Sequence, residues 1–293
     1  MRCAMIQTGV AGLFLLGAAA EARGDLLIYE PFDYTAGLEM DGLPATGLNL
    51  TGNYASSTIQ DLEIASPGLG YGSIAGPVPG VAGNRVTDMN GAGSGIATVS
   101  VDQDITSAVG EGFFFSALFT FDDDGNLNRF ARITLEDEAT GDRITFGEAT
   151  VGVRAIRIEA ETTATGGLIS DGADGSFTDG HTYWLIGRYF NSPTAEGDIL
   201  QLVGYDVSEP DAISTEFDIN DPAAEFGFSL DAFDIDLAQV TSLVFSARGD
   251  ANNHLDEFRL GRSYADVTAI PEPGSFAAGM LAAGWWLRRR RGS

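Results

Sequence analysis

Lysine is absent from all 293 residues, histidine occurs twice and cysteine once. Each scarcity removes a class of chemistry. His181 and His254 are the only imidazoles, and neither stands near a Gly-x-Ser-x-Gly elbow or another local nucleophile signature, so nucleophilic catalysis has no sequence support. Two histidines and a single cysteine, Cys3, do not make a zinc site. Basic residues of any kind are few: between Asp25 and Pro273, ten arginines face forty-one acidic residues, a net charge of −31. Binding to nucleic acid or to an anionic membrane surface depends on basic contacts, so neither is expected as a partner. Helical periodicity is nearly absent between the two ends, with Asp231 to Gln239 the one stretch that would allow a short turn.

The two ends differ from the rest. At the start, Arg2 precedes an apolar run from Val10 to Ala20, and Ala20-Glu21-Ala22 fits the small-x-small pattern of a secretory cleavage site. The run is well short of the roughly 20 residues that a spanning helix needs, so residues 1–22 are expected to be a signal peptide removed after Ala22. Cys3 would go with it, leaving an exported protein with neither disulfide nor thiol. At the other end, Pro271-Glu272-Pro273 stands before an apolar stretch from Gly274 to Leu287, which Arg288, Arg289, Arg290 and Arg291 close. As a helix that stretch would rise about 20 Å, against a hydrocarbon core of about 30 Å. It reads as a transient stop, and the arginine cluster would keep its C-terminal side cytoplasmic while the body lies outside.

Pro-Glu-Pro, a short Gly/Ala-rich apolar helix containing Trp285 and Trp286, and a terminal arginine cluster, in that order, resemble the PEP-CTERM sorting signal of exopolysaccharide-producing Gram-negative bacteria. The resemblance implies recognition by a membrane transpeptidase of the exosortase type, cleavage near Pro271-Glu272-Pro273, and transfer of the body to the cell surface or its polysaccharide matrix. A plain tail anchor is the alternative. The chain then divides into a signal peptide over 1–22, a body over 23–268 and a sorting segment over 269–293.

The body is patterned for strands. In Val153 to Glu161, Arg154, Ile156, Ile158 and Ala160 point one way and Ala155, Arg157, Glu159 and Glu161 the other, so one face enters a core. Similar runs occupy 26–29, 96–101, 113–121, 130–135, 182–190, 199–205, 240–246 and 255–260, most of them bounded by Gly, Asp, Asn or Pro. Residues 34–95 are Gly-rich and predict long loops with a few edge strands. Many short strands without helices between them predict an all-β fold, an antiparallel sandwich or barrel. His254-Leu255-Asp256-Glu257-Phe258-Arg259-Leu260-Gly261, with Ser263 to Val267 after it, is similar to the closing strand of concanavalin A-like or laminin-G-like jelly rolls, and Tyr29-Glu30-Pro31-Phe32-Asp33-Tyr34 to their opening. The resemblance implies a jelly-roll β-sandwich whose two terminal strands share one sheet. It also implies glycan, including exopolysaccharide, as a partner, often with calcium.

Candidate sites follow from residue chemistry. Asp122, Asp124, Asn126 and Asn128, on a Gly-containing loop directly after a strand, offer the closely spaced oxygens that calcium takes. The loop departs from an EF-hand, whose Gly comes sixth and Glu twelfth, and a solvated hairpin turn is its other reading. Asp250, Asn252, Asn253 and Asp256 form a second such cluster, and Asp171, Asp174 and Asp179 a third. Glu159 and Glu161 share a strand face about 7 Å apart, within the range a glycoside hydrolase uses, but Arg157 shares that face and can pair with them. No catalytic residue is assigned, and a secreted hydrolase or lyase remains the rival to a non-catalytic matrix protein. Along Thr182 to Phe190 both faces carry apolar side chains, so Trp184 is expected in a core and not on a sugar-stacking platform.

Overall fold

The computed structural model describes residues 26–268 except 57–61, 73–82, 89–93, 106–109, 122–129, 149–154, 163–166, 175–176, 194–196, 210–212, 234, 236, 238 and 249–252. The signal peptide, the sorting segment with Pro271, Glu272, Pro273 and Arg288 to Arg291, and the loop with Asp122, Asp124, Asn126 and Asn128 lie outside the described residues.

The strands are β1 (Leu26–Glu30), β2 (Leu50–Ser56), β3 (Leu62–Ala65), β4 (Arg85–Asp88), β5 (Ser94–Ile105), β6 (Gly112–Thr120), β7 (Phe130–Glu136), β8 (Arg143–Glu148), β9 (Ala155–Thr162), β10 (Gly167–Asp174), β11 (Thr182–Phe190), β12 (Asp198–Asp206), β13 (Phe226–Phe233), β14 (Val240–Arg248) and β15 (His254–Gly261), followed by one short helix, α1 (Tyr264–Thr268). They form two antiparallel sheets. The eight-stranded sheet runs β13-β12-β11-β6-β15-β4-β3, with β1 also paired to β15, and the seven-stranded sheet runs β10-β9-β8-β7-β14-β5-β2. The expected terminal pairing is present: β1 lies against β15, with Tyr29 opposite Arg259 and Glu30 opposite Phe258. Residues 34–95 supply β2 and β3, each at the edge of a sheet as expected, but also β4, which lies inside the eight-stranded sheet between β15 and β3.

The alternation of β9 shows why these sequences form strands. Ile156, Ile158 and Ala160 are buried between the sheets while Arg157, Glu159 and Glu161 face outward. Aromatic rings join the two layers: Phe115 of β6 lies 4.5 Å from Phe146 of β8, and Phe32 lies 5.1 Å from Phe245 of β14, centroid to centroid. Each such ring removes enough apolar area from water to stabilise the sandwich by roughly 1.5–3 kcal/mol.

The two sheets are not equivalent on their outer faces. On the eight-stranded sheet, outward Leu118, Trp184, Ile186, Val203 and Tyr205 form a second buried cluster with Leu69, Tyr71, Val207, Tyr264 and Val267. Strand β11 is thus covered on both sides, and Trp184 is fully buried, as its sequence predicts. The expectation of a helical turn over Asp231 to Gln239 fails. Asp231 to Phe233 belong to β13, and the described residues after it, Ile235, Leu237 and Gln239, are in no helix.

Candidate functional site

The outward face of the seven-stranded sheet is built from the even-numbered or odd-numbered partners of its core residues, strand by strand. Register places them in rows. One row runs Ser246, Arg132, Gly147, Arg157, Gly172; the next runs Val244, Thr134, Thr145, Glu159, Ser170; the third runs Ser242, Glu136, Arg143, Glu161, Leu168. On β7, β8 and β9 this gives three arginines, three glutamates and two threonines. The side chains bind one another across strands. Arg143 Nε donates to Glu161 Oε2 at 2.8 Å, and the Thr134 and Thr145 hydroxyls are 2.8 Å apart. The guanidinium of Arg132 lies 4.7 Å over the Phe130 ring, and its buried Nε has no hydrogen-bond partner among the described residues. Burial lowers the pKa of Arg132, opposed by the attraction of Glu159. Glu159 and Glu161 are half-buried on this face, and Glu161 is ion-paired to Arg143 of the neighbouring strand. A hydrolytic pair needs a proton donor and a nucleophile or base facing each other across a sugar, whereas these two carboxylates point the same way off one strand.

At the entrance of β11, His181 Nδ1 is 2.6 Å from Asp206 Oδ2, and Ser208 Oγ donates to Asp206 Oδ1 at 2.5 Å. The three residue types suggest a triad, but the geometry does not. Ser208 Oγ lies 3.3 Å from the same Nδ1 that meets the aspartate, so the serine is not on Nε2, where a base would take its proton. The cluster ties a turn together. Burial pushes the Asp206 carboxyl up, but hydrogen bonds from His181 and Ser208 outweigh it and hold the pKa below the ordinary range.

Of the second oxygen cluster, Asp250 and Asn252 lie outside the described residues, as does the side chain of Asp174 in the third. Asp256 is fully buried, its Oδ2 accepting from the Leu69 amide at 2.7 Å and its Oδ1 from the Glu257 amide at 2.8 Å. Asn253 is buried as well and donates to the Arg248 carbonyl at 3.1 Å. The reason is local. Asp256 lies at the bulge of β15, which carries it under the segment 66–72 and away from solvent. In the third cluster, Asp171 accepts from the Gly172 amide. Among the described residues no group of three or more His, Cys, Asp or Glu could hold a metal ion, and no helix is long and apolar enough to cross a membrane.

Alternation did not foretell a buried polar network where β1 meets β15. The Glu30 carboxylate is fully buried and accepts from the Phe32 amide at 2.8 Å, the Tyr54 hydroxyl at 2.5 Å and the Tyr34 hydroxyl at 3.3 Å. Burial raises its pKa, although these hydrogen bonds pull the other way. Glu257 and Arg259 are both fully buried and joined at 3.0 Å, with the Tyr29 hydroxyl donating to the same Glu257 oxygen at 3.0 Å and the Tyr29 ring 4.7 Å beneath the guanidinium. Nearby, burial and then the Arg85 charge push the His254 imidazole down to a pKa of about 3, so it is neutral. The available signal was three charged residues inside the apolar run of β15.

Strand pairing and this face define the chain as an antiparallel β-sandwich with one sheet covered on both sides and the other polar on its outer face, half-buried at Arg143, Thr145 and Glu159 and buried at Thr134, Ser242 and Ser246. No protein-family model matches the chain, and no curated protein matches it in sequence. Among solved structures it is similar to the globular domain of T. cruzi calreticulin, at 9% identity over 73% of this chain and 85% of that chain, with a TM-score of 0.45. It is similar to lectin II from Ulex europaeus, at 10% identity over 81% of this chain and 98% of that one, with a TM-score of 0.43. For the exoplasmic/lumenal domain of VIP36, in a form bound to Ca2+ and Man3GlcNAc, the values are 12% identity, 64% and 82% coverage and a TM-score of 0.39. These scores are all below 0.5, so fold and face rest on the strand pairings themselves.

Proposed function

We propose that this chain is an exported, surface-displayed, non-catalytic β-sandwich of the jelly-roll, concanavalin A-like type that binds glycan in the polysaccharide matrix around its host cell. The observation that carries this reading is the outer face of the seven-stranded sheet, where three arginines, three glutamates and hydroxyl side chains are offered together on a rigid sheet. Sugars are recognised by such mixed donors and acceptors. Ion pairing of Glu161 with Arg143 weighs against the hydrolase alternative, because it engages one of the two carboxylates that hydrolysis would need.

Export and display rest on the two ends of the sequence. The signal peptide takes the chain across the membrane, the apolar segment holds it there transiently, and an exosortase acting near Pro271-Glu272-Pro273 is the processing partner. Calcium is the ion that Asp122, Asp124, Asn126 and Asn128 suit by their oxygens. Support comes from the flanking strands: the end of β6 at Thr120 lies opposite the start of β15 at His254, so the strands next to the two acidic stretches meet at one end of the eight-stranded sheet.

The test is expression of the full chain in an exopolysaccharide-producing host with and without its exosortase, reading intact mass, cell fraction and retention by the washed matrix. Loss of the segment after Pro271 together with matrix retention, only when the enzyme is present, is the expected result. Retention of Trp285, Trp286 and the four terminal arginines in the membrane fraction in both hosts would make this a tail-anchored protein instead.

A further inference from the structure

We propose that β10 is a docking edge for a second copy of this chain, the two β10 strands pairing antiparallel about a two-fold axis at Ile169 so that two seven-stranded sheets join into one. The first argument is the edge itself. An edge strand presents unpaired backbone groups, which native sheets blunt or cover. Residues 37–40 cover β3, the Met40 amide donating to the Leu62 carbonyl at 2.7 Å and the Ile64 amide to the Leu38 carbonyl at 2.9 Å. Residues 42–45 cover β2, the amides of Gly42 and Ala45 donating to the carbonyls of Tyr54 and Gly52 at 2.9 and 3.0 Å. Strand β10 pairs with β9 on one side, and among the described residues no backbone group bonds its other side.

The second argument is what the edge exposes. The remaining edge strand, β13, alternates, with Phe228 and Leu230 buried and Ser229 and Asp231 exposed. On β10, Leu168, Ile169 and Ser170 are exposed in succession, Leu168 at 58% and Ile169 at 38%. Leu168 lies opposite Glu161 on the outward side and Ile169 opposite buried Ala160 on the core side, so apolar surface is bare on both faces of the edge. A strand that continues the sheet covers both, and a ligand lying on one face covers one.

The third argument is that the strand suits itself. A two-fold axis normal to the sheet keeps outward residues outward, so with side chains alternating it has to pass through a residue and not between two. An axis at Asp171 would set carboxylate against carboxylate, one at Ser170 would set Ile169 against Asp171, and one at Leu168 would leave Ile169 facing glycine. At Ile169 the two isoleucines face each other on the core side, Leu168 faces Ser170 on the outward side and Asp171 faces Gly167. Apolar pairs opposite each other stabilise a ladder and opposed like charges weaken it, so this register is selected. Gly167 to Asp171 give a ladder far smaller than the roughly 20–30 residues a side of a standard interface, and each body carries −31, so pairing is transient and strengthened by salt.

The experiment uses the full chain with Cys3→Ser, which leaves no native thiol. Ile169→Cys and Ser170→Cys are each treated with diamide and read on non-reducing gels. Residues directly opposite have Cβ atoms about 4.5–5.5 Å apart, whereas two copies of residue 170 in this register are diagonal, about 7–8 Å apart and beyond disulfide reach. Ile169→Cys is expected to give a disulfide dimer about tenfold or more faster than Ser170→Cys. In sedimentation, the average mass of the Cys3→Ser chain is expected to rise with protein concentration, more at about 0.15 M salt than at about 0.01 M, and Ile169→Asp to abolish the rise. If melting curves show that a variant at 169 does not fold, Leu168→Asp, at the more exposed position, is read in the same sedimentation series in its place. Equal cross-linking of the two cysteines, or more at residue 170, overturns the inference. So does a chain that stays monomeric at every concentration and salt, or association that survives the added carboxylate.

Discussion

Glu257 occupies the middle of a fully buried strand with φ at +52°, a conformation that costs a non-glycine residue about 1–3 kcal/mol. Its surroundings hold it there. The bulge between Asp256 and Arg259 turns Glu257 toward Arg259 and Tyr29, and it frees Asp256 to accept the Leu69 amide. Removing one member of such a pair leaves the other charge buried without compensation. Glu257→Ala is therefore expected to cost about 3–5 kcal/mol in urea unfolding, against about 1 kcal/mol for Tyr29→Phe, which removes one hydrogen bond. A loss for Glu257→Ala as small as that for Tyr29→Phe would mean that Arg259 finds solvent or another acceptor. Sequence alone placed His254 to Gly261 as a closing strand but not the burial of its charges. Burial of Asp256, Glu257 and Arg259 depends on segment 66–72, nearly two hundred residues earlier in the chain.

That segment is the element that separates the covered sheet from the other. Leu69 is clipped to Asp256, and Tyr71 packs edge-on against Trp184 at 4.9 Å and 74°. It closes at Gly72, where φ is +53° and a Cβ would stand 2.0 Å from the Val207 carbonyl oxygen. In Gly72→Ala the segment has to lift, so amide exchange at Leu69 is expected to accelerate and stability to fall by at least about 1–3 kcal/mol. Unchanged exchange at Leu69 would show that the aspartate clip holds independently of the turn. Strand β9, with clean alternation, and β11, apolar on both faces, could be read directly, down to which face each residue takes. Strands β8, β10 and β13 could not. Gly147 falls in β8, β10 is a Gly- and Asp-containing edge strand with Leu168 exposed, and the Phe-rich β13 continues into residues whose spacing also suits a helical turn.

For the molecule as a whole, a body of net charge −31 repels itself, and the described ion pairs are too few to offset this. Raising salt from 0.01 to 0.15 M shortens the screening length from about 30 to about 8 Å, so the melting temperature is expected to rise, by about 2–4 °C for each kcal/mol of repulsion relieved. Calcium chloride at equal ionic strength should raise it further if the Asp122 to Asn128 loop binds the ion, and equal shifts would count against that site. The all-β class was legible from alternation alone. Which sheet would be covered on both sides was not, since that depends on strand register and on where segments distant in sequence come to rest. One pairing sets the order in which the fold can assemble. β15, the last strand made, lies between β6 and β4 and also carries β1, made first. The centre of the eight-stranded sheet is therefore missing until residue 261 has emerged, and the earlier strands wait with open edges. Closing so long a loop is slow, and a chain stopped before β15 has every strand of the seven-stranded sheet but leaves the other sheet as two unjoined pieces, β13-β12-β11-β6 and β4-β3.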